Sequence, residues 1–180
     1  MKWLKRIAIG ISLMIMFLLI LALFTKKEYE VEREIIIHRP KQEVFDSLKI
    51  LENQVHYNPW ILKYPSEKME FHGKDGEVGF RHVWNSEITE VGAGDETIVR
   101  VVEGREIDIE LHFIKPFDRW ANSWLITDSV GNDQTKIRWG FKGTIKYPLN
   151  TILIFVNLEK VLGEQLSAGL SNAKQWLESN

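Results

Sequence analysis

The sequence predicts an α+β fold, in which a curved antiparallel β-sheet packs around a long C-terminal helix and one transmembrane helix precedes both. Three observations support this prediction. Residues 7–24 carry no charge, residues 67–146 alternate between apolar and polar positions with turn signals between them, and residues 149–178 have apolar side chains at helical spacing. We therefore divide the 180 residues into an N-terminal membrane anchor over residues 1–27 and a domain over residues 28–180.

The overall composition excludes several functional classes. The 23 Lys and Arg residues nearly balance the 25 Asp and Glu residues, whereas a nucleic-acid-binding domain has a basic excess. The chain has no cysteine, which excludes a disulfide framework, a thiol nucleophile and a Cys-ligated metal. All 25 carboxylates and 20 of the 23 cations follow Thr25, so that part of the chain has a net charge of −5. We expect no nucleic-acid partner, no metal and no cofactor.

The apolar run over residues 7–24 is long enough to span a membrane. At about 1.5 Å per residue it covers about 27 Å, close to a hydrocarbon thickness of about 30 Å. Lys2, Lys5 and Arg6 precede the run, and Trp3 has the place of an interfacial aromatic residue. A cleaved signal peptide is the alternative, but the run exceeds the usual apolar length of such peptides, and no small-x-small site follows it. The sequence therefore favours an uncleaved, single-pass anchor.

The charges at the two ends of the anchor bear on the side of the membrane. The short cationic N-terminus favours an N-inside orientation, which places the domain on the outer, periplasmic or extracellular, side. Lys26, Lys27, Arg33 and two further cations lie close to the other end and act against this orientation. On the basis of the short cationic N-terminus we favour the outer side for the domain, and the inner side is the alternative.

The domain begins with a strand that is followed by short helices. Residues 29–38 alternate between apolar and polar side chains and then become continuously apolar, which is typical of a strand that grows more buried. Pro40 suits the first turn of a helix, and an apolar stripe follows it over residues 41–50. A second short helical stretch over residues 51–57 is predicted to end at residues 58–60.

Residues 67–146 predict successive antiparallel strands joined by short turns. The clearest strand covers residues 106–113, where apolar residues from Ile107 to Phe113 alternate with polar ones. Residues 135–143 repeat this pattern, with Ile137, Trp139 and Phe141 on the apolar side. The turn signals contain glycine, proline, asparagine or aspartate and lie at residues 73–76, 92–95, 115–118 and 131–133.

Residues 149–178 predict one continuous amphipathic helix, because apolar residues recur at spacings of three, four or seven. A long amphipathic helix beside a one-faced sheet buries its apolar stripe on that sheet. Gly163 and Gly169 each cost about 1 kcal/mol of helix propensity. Their missing side chains are predicted to leave room on the buried face of the helix.

The order of elements and several motifs resemble the START-like superfamily, also called the Bet v 1-like or SRPBCC superfamily. Residues 31–45 read VEREIIIHRPKQEVF, which is similar to the superfamily's opening strand, proline and Val-Phe helix. Residues 58–60, Asn-Pro-Trp, resemble its Trp-Pro-Trp stretch with the first tryptophan replaced. The resemblance covers about residues 29–178 and is strongest to the bacterial polyketide cyclase/dehydrase-like branch, many of whose members carry an N-terminal anchor. Further similar stretches lie at residues 76–79, 83–84, 135–139 and 163–170.

The resemblance implies a helix-grip fold, in which the curved sheet wraps the long helix and leaves an apolar cavity for lipids, sterols, polyketides or other hydrophobic molecules. None of the matching motifs is a catalytic signature. We therefore expect the domain to bind a hydrophobic or amphipathic, lipid-like small molecule, with aromatic side chains lining the cavity. Packing of an ordinary core is the alternative role for these side chains. The candidate cavity residues are Trp60, Phe80, His82, Trp84, Phe113, Trp124, Trp139, Phe141, Leu166 and Leu170.

His82 is the candidate polar group of this set. It shares strand parity with Phe80 and Trp84, so that all three point to one face, and histidine can orient a ligand or transfer a proton. A polyketide cyclase-like enzyme that uses His82 or Arg100, and a protein-interaction module of the cell envelope, are the alternatives to ligand binding alone. His112 lies on one strand face with two acidic residues, but no H-x-H or H-E-x-x-H spacing supports a metal site there.

Overall fold

The computed structural model describes residues 2–64, 68–89 and 91–179. Its strands and helices confirm the α+β class, with an apolar helix at the N-terminus and a long helix at the C-terminus. In chain order the elements are α1 (Lys2–Phe24), β1 (Glu28–Ile37), α2 (Lys41–Lys49), a 3-10 helix (Leu51–His56), α3 (Pro59–Lys63), β2 (Met69–His72), β3 (Arg81–Asn85), β4 (Ala93–Val102), β5 (Glu106–Lys115), β6 (Arg119–Gly131), β7 (Gln134–Thr144), a second 3-10 helix (Leu149–Thr151), α4 (Ile152–Phe155) and α5 (Leu158–Ser179).

The seven strands form one antiparallel sheet in the order β1-β7-β6-β5-β4-β3-β2. Consecutive strands from β2 to β7 are neighbours, as the predicted meander requires, and β1 pairs with β7 at the other edge. The alternation within β5 and β7 is confirmed, because Ile107, Ile109, Ile137 and Trp139 are buried. These side chains point to the inner face of the sheet, which also receives α2, the first 3-10 helix and α5.

α5 packs across β1 and β7 and buries its apolar stripe there, including Leu166 and Leu170. The predicted role of its two glycines is confirmed. A Cβ atom on Gly163 would collide with the guanidinium of Arg33, and a Cβ atom on Gly169 would collide with the indole of Trp139. The glycines therefore let α5 approach the sheet closely where two large side chains project from it.

The prediction of one continuous helix over residues 149–178 is wrong. The segment begins as a 3-10 helix, continues as the short α4, and breaks at Val156, whose backbone is extended with φ −113° and ψ 120°. α5 then starts after Asn157, whose side-chain Oδ1 accepts a hydrogen bond from the backbone N–H of Lys160 at 3.0 Å. Asparagine is a preferred helix N-cap, so this residue begins a new helix.

One predicted turn also lies differently. Gly92 has φ +65° and does form a turn, but Ala93, Gly94 and Asp95 belong to β4. The helical stretch predicted over residues 51–57 is a 3-10 helix that ends at His56, close to the predicted end. Asn58 begins the next helix: its side chain accepts a hydrogen bond from the backbone N–H of Trp60 at 3.0 Å and thereby caps α3, with proline at the first helical position.

α1 is attached to the domain at its C-terminal end. Asn150 is fully buried, and its side-chain Nδ2 donates hydrogen bonds to the carbonyl oxygens of Ala22 at 2.7 Å and Thr25 at 3.0 Å. Ala22 is buried by this contact, whereas most of α1 is exposed. The backbone N–H of Ile145 donates to the carbonyl of Lys27, which extends the pairing of β1 with β7 toward the helix. A single amide side chain thus binds the end of α1 and joins it to the chain that follows β7.

Candidate ligand-binding site

The inner face of the sheet differs between its two ends. At the end where β1 finishes, Ile37, Ile107 and Ile137 are completely buried. At the end where β1 begins, the inner-face residues Tyr29, Leu111 and Phe113 are only half-buried and pack against the margin of the core. We call this second region the open end, defined by Tyr29, Trp84, Leu111 and Phe113. It is also the end at which α1 joins the domain.

A buried polar pair lies where the closed core meets the open end. His82 on β3 and Glu96 on β4 are directly opposite each other in the sheet. His82 Nδ1 donates a hydrogen bond to Glu96 Oε1 at 2.8 Å, and the two residues are only 3% and 6% exposed. Leu111 lies opposite Glu96 on β5, and Ala121 lies opposite Leu111 on β6. Residues that lie opposite each other in a sheet point to the same face, so His82 and Glu96 point to the inner face. Burial of two ionisable groups costs free energy that one hydrogen bond only partly offsets.

One atom of this pair and one atom close to it lack a hydrogen-bond partner among the described residues. They are the Nε2 atom of His82 and the hydroxyl of Tyr57, and both are fully buried. Burial raises the pKa of the Tyr57 hydroxyl, and the nearby carboxylates of Glu96 and Asp75 raise this pKa further. The phenol is therefore neutral, close to Glu96, and has a proton to donate. Unpaired buried polar atoms are uncommon in native proteins and point to a specific cause.

Aromatic rings surround these polar atoms. Phe71 stacks on His82 with ring centroids 5.0 Å apart, and Trp84 lies 6.0 Å from the same imidazole. Trp84 also meets Phe113 edge to face at 6.0 Å. Gly94 lies opposite Trp84, and a Cβ atom there would collide with the indole, so the missing side chain makes room for the ring. The polar pair is thus bordered by apolar surface that extends to the open end.

Trp139 lies between the sheet and the helical side of the interior, next to Tyr57. Its indole Nε1 donates to Ser123 Oγ at 3.0 Å, and Ser123 donates onward to the carbonyl of Gly140 at 3.0 Å. Tyr57 meets Trp139 edge to face at 5.8 Å, and Trp60 does so at 6.3 Å from α3. The indole N–H of Trp139 is therefore already satisfied within the protein, unlike the hydroxyl of Tyr57.

The structure brings most of the predicted cavity residues to the inner face and excludes one. Phe80, His82, Trp139, Phe141, Leu166 and Leu170 are buried, Trp84 and Phe113 are half-buried, and Trp60 is exposed on α3. Trp124 lies on the outer face instead. Its ring covers Gly140, and its indole Nε1 donates to Glu32 Oε2 at 2.7 Å. Trp124 therefore does not line the space between the sheet and α5.

Two further candidates lie on the outer face. Arg100 is exposed and binds Asp108 and Glu106, with N–O distances of 2.5 Å to each carboxylate, so it is not the inward-facing cation that an enzyme in the interior would use. His112 stacks on Trp120 with ring centroids 4.0 Å apart, and its Nε2 lies 3.0 Å from Asp118 Oδ1. Both residues therefore interact with outer-face partners and lie apart from the inner polar pair.

Two members of the site are not indicated by any sequence pattern. Glu96 is a charged residue in a strand, and such residues are usually exposed; only the pairing of β3 with β4 brings it opposite His82. Tyr57 lies in the turn between the first 3-10 helix and α3, where no periodicity indicates which way a side chain points. The shared parity of His82, Phe80 and Trp84 is the one available signal, and it identifies the polar residue of the site.

Two apolar grooves lie along α1. One has a volume of about 380 Å³ and separates α1 from residues 148–155. The other has a volume of about 390 Å³ and is bounded by one face of α1 alone. Both grooves lie outside the space between the sheet and α5, which holds the buried core side chains. The cavity expected between the sheet and α5 stays a prediction.

Comparison with known proteins identifies the fold. No protein-family model and no curated protein sequence matches the chain. A solution structure from Thermobifida fusca aligns with a TM-score of 0.61 at 13% identity and covers 83% of this chain and 93% of that chain. Ara h 8.0201 aligns with a TM-score of 0.58 at 13% identity over 85% and 99% of the two chains. Norcoclaurine synthase from Thalictrum flavum, solved with dopamine and hydroxybenzaldehyde, aligns with a TM-score of 0.60 at 13% identity over 88% and 91%.

These similarities define a class of fold, since identities this low carry no information on activity. A seven-stranded antiparallel sheet that holds a long C-terminal helix is the helix-grip architecture. The chain has the Bet v 1-like, or START-like, form of that fold, as the motif over residues 31–45 indicates. It adds α1, a helix that is long and apolar enough to cross a membrane, as an anchor or a signal sequence would be.

Proposed function

We propose that this chain is a membrane-anchored helix-grip domain that binds a hydrophobic or amphipathic, lipid-like molecule between the sheet and α5. The proposal rests on two buried polar atoms that lack a hydrogen-bond partner and lie beside an apolar surface. They are His82 Nε2 and the Tyr57 hydroxyl. A ligand with an apolar body and one polar group would satisfy both features. Its polar group would bind these two atoms, and its body would lie along Trp84, Leu111 and Phe113 toward the open end.

The partial exposure of the open end supports this arrangement. Tyr29, Leu111 and Phe113 are large apolar or aromatic residues on the inner face, yet α5 leaves them only partly buried. Covering such a surface with a ligand is favourable by about 25 cal/mol for each Å² of apolar area that is removed from water. Arg119 lies over the Phe113 ring at 4.6 Å, so the margin of the open end also carries a cation that can meet an anionic headgroup.

The junction between α1 and the domain supports an uncleaved anchor. Removal of α1 would take away the carbonyl group of Ala22, which accepts a hydrogen bond from the buried amide of Asn150, and would uncover that amide. The helix also shares an apolar groove with residues 148–155, so its removal would expose further apolar surface to water. The anchor also holds the open end near the bilayer, which raises the effective concentration of a membrane-soluble ligand. The cationic N-terminus, with Lys2, Lys5 and Arg6, favours the outer side for the domain.

The comparisons support the proposal by analogy of fold. Norcoclaurine synthase was solved in complex with dopamine and hydroxybenzaldehyde, which are small aromatic molecules with polar groups. A fold of this type can therefore hold ligands of mixed polarity. The ligand of the present chain is proposed from its own interior, where a hydrogen-bonded histidine and a neutral phenol meet aromatic rings.

Ligand retention tests the proposal. The full chain is purified from membranes in detergent and analysed by native mass spectrometry and by organic extraction of the bound material. We expect a stoichiometric, apolar small molecule to remain with the protein. Phe113→Asp places a charge on the inner face at the open end and is expected to abolish retention. Ile114→Asp, on the neighbouring residue that points the other way, is the matched control and is expected to retain the molecule.

The outcomes separate a specifically bound ligand from adsorbed lipid or detergent. Equal retention of the molecule in both variants would assign it to the detergent or to annular lipid and would contradict the proposal. A folded wild-type chain that carries no molecule, and takes up none from an added fatty acid, would contradict it as well. Thermal unfolding of both variants verifies that Phe113→Asp acts on binding and not on folding.

A second candidate, proton-transfer catalysis in the same interior, is favoured by the His82–Glu96 pair. A histidine that is oriented by a buried carboxylate and has its other ring nitrogen unpaired has the geometry of a general acid or base. His82→Gln keeps a polar side chain of similar length but cannot transfer a proton. Turnover of a polyketide-like or phenolic substrate that is lost in this variant, while retention of the copurified molecule persists, would assign catalysis to the pair.

A further inference from the structure

The segment that follows β7 has an unusual surface. Residues 147–156 read YPLNTILIFV and contain no charge. Leu149, Ile152, Ile154 and Phe155 are exposed, and Phe155 has 72% of its surface accessible. Isolated exposed apolar residues are ordinary, but a contiguous apolar patch marks a surface that contacts a membrane or another molecule. The segment is also tied directly to α1 through Asn150.

The position of the segment relative to α1 identifies what it contacts. Leu149, Ile152 and Phe155 line a groove of about 380 Å³ together with Ile15, Leu18 and Leu19 of α1. Leu18 lies six residues before Phe24, which corresponds to about 9 Å along the helix axis. The segment therefore folds back beside α1 instead of ending at its last residue. When α1 spans a bilayer, this level lies within the hydrocarbon region of one leaflet.

Several polar groups of the segment are hydrogen-bonded internally, as that environment requires. Backbone groups within a bilayer must be hydrogen-bonded internally unless they face a polar cavity. The backbone N–H of Val156 donates to the carbonyl of Ile152 at 2.8 Å, and both the backbone N–H and the hydroxyl of Thr151 donate to the carbonyl of Pro148. Asn150 is buried against α1 and directs its Nδ2 to main-chain carbonyls, whereas its Oδ1 has no hydrogen-bond partner among the described residues. The exposed surface is left almost entirely to apolar side chains.

Charged residues flank the apolar segment where a headgroup layer would lie. Lys26 and Lys27 follow α1, and Lys146 precedes the segment. Lysine residues at the ends of membrane-inserted elements extend their ammonium groups to the polar interface. The pairing of Glu28 with Thr144 brings the start of β1 next to the end of β7. The connection from α1 to β1 and the connection from β7 to residues 147–155 therefore lie side by side at the same end of the sheet.

We propose that residues 147–155 are inserted into the same leaflet as the adjoining part of α1 and form a second membrane contact. The occupant of the apolar surface is the lipid hydrocarbon of the membrane that α1 spans. Two contacts hold the domain in a fixed orientation, with the open end of the inner face toward the bilayer, where one helix alone would leave it free to rotate. This inference rests on the proposed membrane anchoring of α1.

Single labelled cysteines test the insertion, since the natural chain has no cysteine. Phe155→Cys, Leu19→Cys and Val78→Cys are each labelled with an environment-sensitive fluorophore in the full chain and reconstituted into phosphatidylcholine vesicles. Val78 is the matched control, because it is 61% exposed but lies in the turn before β3, away from α1. Quenching is measured with nitroxide-labelled lipid and with aqueous iodide. Ile152→Cys repeats the test if Phe155→Cys does not fold.

We expect the labels at Leu19 and Phe155 to be quenched mainly by the lipid nitroxide and the label at Val78 mainly by iodide. Iodide quenching at Phe155 together with lipid quenching at Leu19 would overturn the insertion while leaving the anchor intact. Protection of Phe155 from both quenchers would also overturn it, because protein would then cover the segment. Iodide quenching at Leu19 would contradict the proposed anchoring itself, which distinguishes the two failures.

Discussion

Both ends of the inner face of the sheet are built from alternating apolar and polar residues, but their side chains are buried to different extents. At the end covered by α5, the glycines of that helix bring it directly onto Arg33 and Trp139, and Ile37, Ile107 and Ile137 are completely buried. At the open end, Tyr29, Leu111 and Phe113 remain half-exposed beside the His82–Glu96 pair. We therefore expect the covered end to contribute more to the stability of the fold than the open end.

The difference in burial between the two ends explains why the His82–Glu96 pair lies where the covered end meets the open end. A closed core gains nothing from a buried histidine and carboxylate, and replacing such pairs by apolar residues is often neutral or stabilising. A pair of this kind next to a half-exposed apolar surface is better suited to binding. Folding is therefore the main role of the covered end, and recognition is the role that we propose for the open end.

The largest difference between the two ends is expected for core truncation. Leu166→Ala removes a completely buried side chain on the sheet-facing side of α5 and should lower the free energy of unfolding by about 2–5 kcal/mol. Leu111→Ala at the open end removes a half-buried side chain and should cost only about 1 kcal/mol. Denaturant unfolding of the full chain in detergent measures both values. Equal losses would mean that the open end is as much a part of the core as the covered end.

The next largest change in the free energy of unfolding is expected for substitutions in the His82–Glu96 pair. Glu96→Leu leaves His82 buried without its partner and should lower the free energy of unfolding by about 1–3 kcal/mol. The double variant His82→Phe with Glu96→Leu removes both polar groups and should regain most of that loss while losing ligand retention. A double-mutant cycle on unfolding and on retention separates the two readouts. Additive stability losses would show that the two residues do not act as a pair.

A smaller effect is expected where α5 approaches the sheet. Gly169→Ala gains about 1 kcal/mol of helix propensity, but its Cβ atom collides with Trp139, and overpacking costs about 1–3 kcal/mol. We expect a net loss of roughly 1 kcal/mol and a displaced Trp139 ring, visible as a shift in tryptophan fluorescence. Gly131→Ala is the control, since the nearest atom to its Cβ would be 3.7 Å away. Net stabilisation by Gly169→Ala would contradict the close packing of α5.

The smallest effect appears only at alkaline pH. Burial raises the pKa of the Tyr57 phenol, so the folded chain binds this proton more tightly than the unfolded chain does. The resulting stability is complete below the ordinary tyrosine pKa of about 10 and decreases as pH rises above it. The wild-type chain should lose stability by at most about 1.4 kcal/mol for each pH unit more than Tyr57→Phe does. Tyrosinate absorbance of the folded wild type equal to that of an unfolded chain would contradict the burial.

Much of the fold can be predicted because the residue pattern determines it locally. β5 and β7 alternate cleanly, so the pattern correctly assigns Ile107 and Ile137 to the inner face. The helix after β7 cannot be predicted in detail, since the apolar spacing continues through Val156 and Asn157 although the backbone turns there. Periodicity reports which residues are apolar, and it does not report where a cap interrupts the hydrogen bonds of a helix.

The site can be predicted only where one strand contains the whole signal. The parity of β3 identifies His82, whereas its partner Glu96 depends on strand pairing that no single strand encodes. The assignment of Trp124 to the interior is wrong because it rests on the expectation that aromatic residues are buried. In β6 the inward residues are smaller, such as Ala121 and Ser123, and Trp124 covers Gly140 on the outer face. That cross-strand contact has no counterpart in the local sequence.

Photochemical labelling tests ligand binding between the sheet and α5 most directly. The full chain in detergent is exposed to a fatty acid with a light-activated diazirine on its acyl chain, and the modified peptides are mapped by mass spectrometry. Binding at the open end predicts adducts on its inner face, at Trp84, Leu111 or Phe113, and their loss in Phe113→Asp. Adducts confined to α1 and residues 147–155, or equally frequent at Trp124 on the outer face, would contradict ligand binding between the sheet and α5.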